Sequence, residues 1–142
     1  MVSLKDVYMK ESPFVSPEAA AFLYELLDKR DPDVSISHKK TPPYEEHLRF
    51  VLSRPYESWM IIEKDGRMVG SVYVTRNGEI GVAVSKESRR RGYGEAALDA
   101  VIAARPGKTL YANVNPKNAA SAAFFAKKGF VHIQNVLRRE PS

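Results

Sequence analysis

The sequence predicts an α/β domain with a mixed central sheet, flanked by about four helices. Three observations predict it. Apolar residues recur at helical spacing in two early segments, and the pattern then switches to period two across residues 59–84, broken by two glycine turns. After that, helix-like and strand-like stretches alternate. Hairpin turns make the first half antiparallel, and strand–helix–strand units favour parallel pairing in the second.

The elements follow in order. Met1 to Lys10 is a candidate edge strand with poor alternation. Ser16-Pro17-Glu18 combines an N-cap, a first-turn proline and a first-turn acid, and Ala19, Phe22, Leu23, Leu26 and Leu27 give the helix one apolar stripe. Asp31-Pro32-Asp33 ends it. Thr41-Pro42 repeats the cap-and-proline start, with Tyr44, Leu48, Val51 and Leu52 on the apolar face of a second helix. Trp59 to Ile62 is a strand, Lys64 to Arg67 a turn, and Met68 to Val74 a second strand. Asn77-Gly78 supplies positive-φ residues for a tight hairpin into a third strand, Glu79 to Val84. A helix through Ala96 to Ile102, a strand at Thr109 to Val114, a helix from about Ala119 to Lys128 and a last strand from Phe130 complete the chain.

A length of 142 residues fits one domain, 1–142, with a sizeable core. The apolar fraction of 44% and charged fraction of 27% are those of a soluble globular chain. No apolar run approaches membrane-spanning length, and the charged start is not a signal peptide, so a cytoplasmic protein is expected. Without cysteine there is no disulfide, thiolate metal site or thiol nucleophile. The net charge of +5 suits an anionic ligand. Neither a recognition-helix pattern nor an aromatic-basic RNA motif accompanies the arginines, so nucleic acid is not the expected partner.

The segment from Val82 to Glu95 ends a strand, turns through a basic loop and starts a helix. Helix N-termini expose unpaired N–H groups and the positive end of the dipole. Gly92 and Gly94 let backbone amides approach an anion, and Arg89, Arg90 and Arg91 add attraction. The spacing is neither a P-loop nor a dinucleotide fingerprint. A solvated basic turn is the competing reading of the same residues.

Arg89-x-x-Gly92-x-Gly94 between strand and helix resembles the acyl-CoA loop of the GNAT superfamily of N-acyltransferases. The segment from Asn115-Pro116-Lys117-Asn118 through Phe124-Phe125 to Gly129-Phe130 is similar to the family's Asn-x-x-Asn-x-x-(Ala/Ser) helix ending in Gly-Phe. The resemblance implies a GNAT-like sheet in which Glu79–Val84 splays from its parallel neighbour, Thr109–Val114, to admit the pantetheine arm of acetyl-CoA. It implies that backbone groups of Val82, Ala83 and Val84 hold that arm, and that amides from Arg90 through Tyr93 to Glu95 wrap the pyrophosphate. It also implies contacts from Asn115, Asn118 and Lys128; for either asparagine a turn or helix cap is the alternative. No metal is implied.

The implied chemistry is direct acetyl transfer to a primary amine, which must lose a proton to attack. Glu79 is the leading base, against a solvent-facing residue after a turn. His47 is either a second base or a structural histidine beside an apolar stripe, and His38 either binds the acceptor or is a surface residue. Phe125 stands where the family often has a tyrosine that protonates the thiolate; either Tyr111 or Tyr93 substitutes, or the thiolate, with a thiol pKa near ~8.5, leaves without a protein acid. Only Phe130 to Arg138 remains for the family's last two strands. Either the domain ends one strand early or a partner completes the sheet, as in a homodimer.

The segment Tyr44 to Val51, with Pro55-Tyr56-x-x-Trp59, resembles GNAT enzymes that acetylate nucleotide-linked amino sugars. A small amine acceptor with an anionic portion follows from that resemblance. A protein N-terminal or lysine acetyltransferase, and a non-catalytic CoA-binding domain, are the alternatives.

Overall fold

The computed structural model describes residues 1–9, 15–29, 41–114 and 117–141. Its elements are β1 (Ser3–Asp6), α1 (Pro17–Asp28), α2 (Tyr44–Leu52), β2 (Ser58–Lys64), β3 (Arg67–Val74), β4 (Ile80–Val84), α3 (Tyr93–Ala103) and α4 (Ala119–Lys127). The strands form an antiparallel meander in the order β1-β2-β3-β4, with β1 at one edge.

The turns set the register. Asp65 (φ 52°) and Gly66 (φ 76°) are both left-handed, so Lys64 and Arg67 pair across a two-residue loop. The second hairpin differs from expectation: of Asn77 and Gly78 only Gly78 is left-handed (φ 83°). Gly78 N–H donates to Thr75 O at 3.0 Å and Thr75 N–H to Glu79 O at 2.8 Å, which is a turn followed by a glycine bulge.

Period-two alternation gives the sheet two apolar faces. On one, Ile62, Val72, Val74 and Ile80 pack against Ala97, Leu98 and Val101 of α3 and Phe125 of α4. On the other, Val7, Trp59 and Ile61 meet Ala19 and Leu23 of α1 and Val51 of α2. Helix α1 starts as expected: Ser16 Oγ accepts from Ala19 N–H at 3.3 Å, with Pro17 and Glu18 behind it. Helix α2 does not. It begins at Tyr44 with Pro43 in the cap position and no side-chain cap, because Thr41 lies too far upstream.

Two expected strands are not formed among the described residues. Residues 109–114 make one bridge, through Tyr111, and residues 130–138 make none. The apolarity of Val131, Ile133, Val136 and Leu137 predicts a strand, yet these side chains are 67–93% exposed. A strand needs a ladder partner as well as an apolar pattern.

His47 belongs to the core and is only 4% exposed. Its ring lies against Tyr24 and Tyr44, and its Nε2 has no hydrogen-bond partner. Burial lowers its pKa, opposed by a hydrogen bond with the Ala20 main chain. The unfolded chain, with a histidine pKa near ~6.5, therefore takes up the proton first. His47's contribution to stability is complete above that pH and is lost as pH falls towards its folded pKa. The urea midpoint is expected to fall from pH 7.5 to 5.5, and to fall less in His47→Phe. Parallel pH profiles for the two proteins would show that His47 does not contribute.

Candidate active site

Strand β4 is fully paired on one side only. Its bond phase is fixed by Thr75 N–H to Glu79 O and by Ser85 N–H to Val69 O, 2.9 Å. Residues of an antiparallel pair alternate in facing their partner, so the backbone groups of Glu79, Gly81, Ala83 and Ser85 point to β3. Those of Ile80, Val82 and Val84 point to the other edge. There Ile80 N–H donates to Tyr111 O at 2.7 Å and Tyr111 N–H donates to Gly78 O at 2.8 Å. This parallel bridge between Glu79 and Tyr111 closes one end of a wedge. Beyond it, β4 and residues 112–114 do not pair. Val82 and Val84 thus offer a peptide edge to an extended ligand. Ala83 does not, since its backbone groups are turned to β3.

A 3₁₀ turn, Lys86–Ser88, carries the chain out of β4. Arg90 (φ 63°) and Gly92 (φ 80°) are left-handed on either side of Arg91. Alternation of hand turns successive N–H groups to one concave side, a nest that suits anions. Helix α3 has no side-chain cap, and its first backbone bond is Ala96 N–H to Gly92 O at 3.0 Å. The amides of Tyr93, Gly94 and Glu95 lie ahead of that bond, at the positive end of the helix. Arg89 Nε donates to Val84 O at 3.2 Å, tying the loop to the strand. Ser85 Oγ is buried there without a partner. A cleft of about 100 Å³ reaches the loop between Phe22 and Leu26 of α1 and Val84, Lys86 and Arg89. An extended arm ending in a diphosphate fits this strand edge, nest and cationic rim.

A family model described as "Acetyltransferase (GNAT) family" matches residues 20–130. The chain belongs to the GNAT acetyltransferase family. Its fold is shared with a domain from Methanocaldococcus jannaschii at 18% identity and TM-score 0.77, covering 96% of this chain and 92% of that one. A Salmonella typhimurium protein, yncA, solved with its cofactor acetyl-CoA, superposes at TM-score 0.69 and 18% identity, covering 92% of this chain and 79% of that one. The ribosomal-protein-alanine N-acetyltransferase of Brucella melitensis superposes at TM-score 0.69 and 18% identity, covering 91% and 83%. No curated protein matches significantly. The enzyme is thus a GNAT acetyltransferase, of a family that uses acetyl-CoA.

Within this acetyltransferase the candidate side chains separate into groups. Glu79 is half-buried at the closed end of the wedge, with Tyr111 beside it and 43% exposed. Tyr93 packs against the α3 core cluster, and His47 lies in the opposite core between α1 and α2. Asn118 caps α4, its Oδ1 accepting from Ser121 N–H at 3.0 Å. Lys128 Nζ lies 2.8 Å from Glu95 and 3.0 Å from Asp99, so it pins α4 to α3 instead of reaching into the loop. Hydrogen bonds from Lys128 and Lys127 hold the Glu95 carboxyl below its usual pKa and draw its charge towards α4. Asn115 and His38 lie outside the described residues.

The glycines of the loop serve different ends. A Cβ on Gly92 would meet nothing within 4 Å, so its backbone hand is what requires glycine. A Cβ on Gly94 would lie 3.3 Å from Val84 Cγ2 and 3.4 Å from Val82 Cγ1. Helix-on-strand packing therefore favours glycine at Gly94. One residue missed by sequence reasoning is Tyr73, whose ring crosses to Gly81 of β4; the pairing of a tyrosine with a strand glycine was its only signal. Gly92→Ala is expected to destabilise the fold by about 1–2 kcal/mol through its left-handed backbone. It should also weaken acetyl-CoA binding, measured by titration calorimetry, because the nest loses its geometry.

Proposed function

We propose that this acetyltransferase passes acetyl from acetyl-CoA directly to the primary amine of a small molecule with an anionic portion, a nucleotide-linked amino sugar being the leading class. Glu79 is the base. The observation that carries this reading is the position of Glu79, half-buried at the end of the wedge where the peptide edge of β4 becomes free. A pantetheine arm laid along Val82 and Val84, with its pyrophosphate in the nest of Arg90 to Glu95, would run towards that end. An alkyl ammonium, with a pKa near ~10, must be deprotonated before it attacks, and a carboxylate beside the reacting carbon supplies the acceptor for that proton. A net charge of +5 favours an anionic acceptor over a polycation.

Thiol release from acetyl-CoA, measured against nucleotide amino sugars, peptide N-termini, lysine peptides, polyamines and aminoglycosides, tests both parts. Release is expected with the amino sugars. Glu79→Gln should lower kcat about 10²-fold or more while leaving acetyl-CoA affinity unchanged. Release with peptide N-termini alone would move the acceptor to proteins. Saturable binding of acetyl-CoA with no release for any amine would make the domain a CoA-binding module.

A further inference from the structure

Transfer also requires a proton for the departing thiolate, and Phe125 cannot provide one. Its ring is in the core, against Phe124 and Phe130. The face of β4 that carries Glu79 also carries Gly81, and Tyr73 pairs with Gly81 from β3. The position a Gly81 Cβ would take lies 2.3 Å from Tyr73 Cε2 and Cζ and 2.6 Å from its Oη. No side chain fits there, so the end of the tyrosine ring rests directly on the strand. Tyr56 stacks on the ring at 4.0 Å between centroids and 8° between planes, fixing it from above. The hydroxyl is thereby held over Gly81, on the strand face that also carries Glu79. Tyr111 is placed otherwise. Its Cδ2 lies 3.8 Å from the Cβ position of Gly78, on the closed side of the bridge.

We propose that Tyr73 is the catalytic acid that protonates the CoA thiolate as it leaves; the inference rests on the function proposed above. The amine nitrogen bonds to the thioester carbonyl carbon, and the carbon–sulfur bond breaks with its electron pair going to sulfur. Glu79 takes the N–H proton and Tyr73 Oη gives its own to sulfur. The proton on Glu79 then returns to the tyrosinate through water, so amine and thioester become amide and thiol with no other reactant. Burial, aided by the negative charge of Glu79, raises the Tyr73 pKa and keeps the hydroxyl protonated for the task. A base and an acid on one face of the sheet follow from two residues and one missing Cβ.

The test begins with an acceptor that supports turnover by the unaltered enzyme; absence of turnover would count against the proposed function and leave no acid to seek. With turnover in hand, Tyr73→Phe keeps the ring and its stack and removes only the hydroxyl. Its kcat is expected to drop roughly tenfold or more, at the low end of general-acid effects because a thiol pKa near ~8.5 permits some unaided departure. KM for acetyl-CoA should stay within about twofold, and the decline of kcat at high pH should vanish. Gly81→Ala, which displaces the ring, should give a loss that does not multiply with that of Tyr73→Phe in the double variant. An unchanged kcat in Tyr73→Phe, or the same loss and altered pH profile in Tyr111→Phe instead, would overturn the assignment.

Discussion

The site depends on a parallel bridge that is made once and not repeated. Tyr111 O accepts from Ile80 N–H at 2.7 Å, Tyr111 N–H donates to Gly78 O at 2.8 Å, and no pairing follows beyond them among the described residues. Had the ladder continued, the backbone groups of Val82 and Val84 would have been consumed within the sheet. Because it stops, β4 keeps a peptide edge inside the protein, beside the positive end of a helix. An edge of this kind invites aggregation on an open surface. Placed in a wedge, it has free backbone groups of the kind that pair with an extended ligand.

The two faces of the sheet divide the work. The strand side chains of the face under α3 are aliphatic, with Val72, Val74 and Ile80 buried against Leu98 and Phe125. The other face is aromatic. Tyr56 lies against both Trp59 and Tyr73, and Tyr73 reaches across to Gly81. Rings hold shape with few rotatable bonds, so these contacts make that face rigid. Small residues on β4 and α3 make both arrangements fit: Gly81 admits a ring, and Gly94 lets a helix start lie on the strand. Charge is handled with the same economy. Lys128 gathers Glu95 and Asp99, so the acid in the first turn of α3 faces α4, while the arginines before it stay exposed.

Much of this was legible in the chain. Ser16-Pro17-Glu18 marked the start of α1, the turn through Asp65-Gly66 a tight hairpin, and Arg89 to Gly94 a basic strand-to-helix loop. These signals are local, and each rests on a backbone angle or a cap that one short segment fixes by itself. The acetyltransferase family followed from the same stretch. Where residues had two readings, the sequence offered no means of choosing. Asn118 proved to be a cap, and His47 a core residue, because partners distant in the chain occupy their surroundings.

Local signals in the sequence by themselves determined the start of α1, the first hairpin and the basic strand-to-helix loop, and two motif resemblances pointed to the family. Tertiary structure alone decided where pairing ends. It left residues 130–138 without a ladder despite their apolar pattern, turned Ala83 away from the wedge while presenting Val82 and Val84, and laid Tyr73 on Gly81. The physical reason is the same in each case. Hydrophobic periodicity says which residues seek burial, but backbone bonds and ring contacts depend on the register between strands, and register exists only once the strands have met.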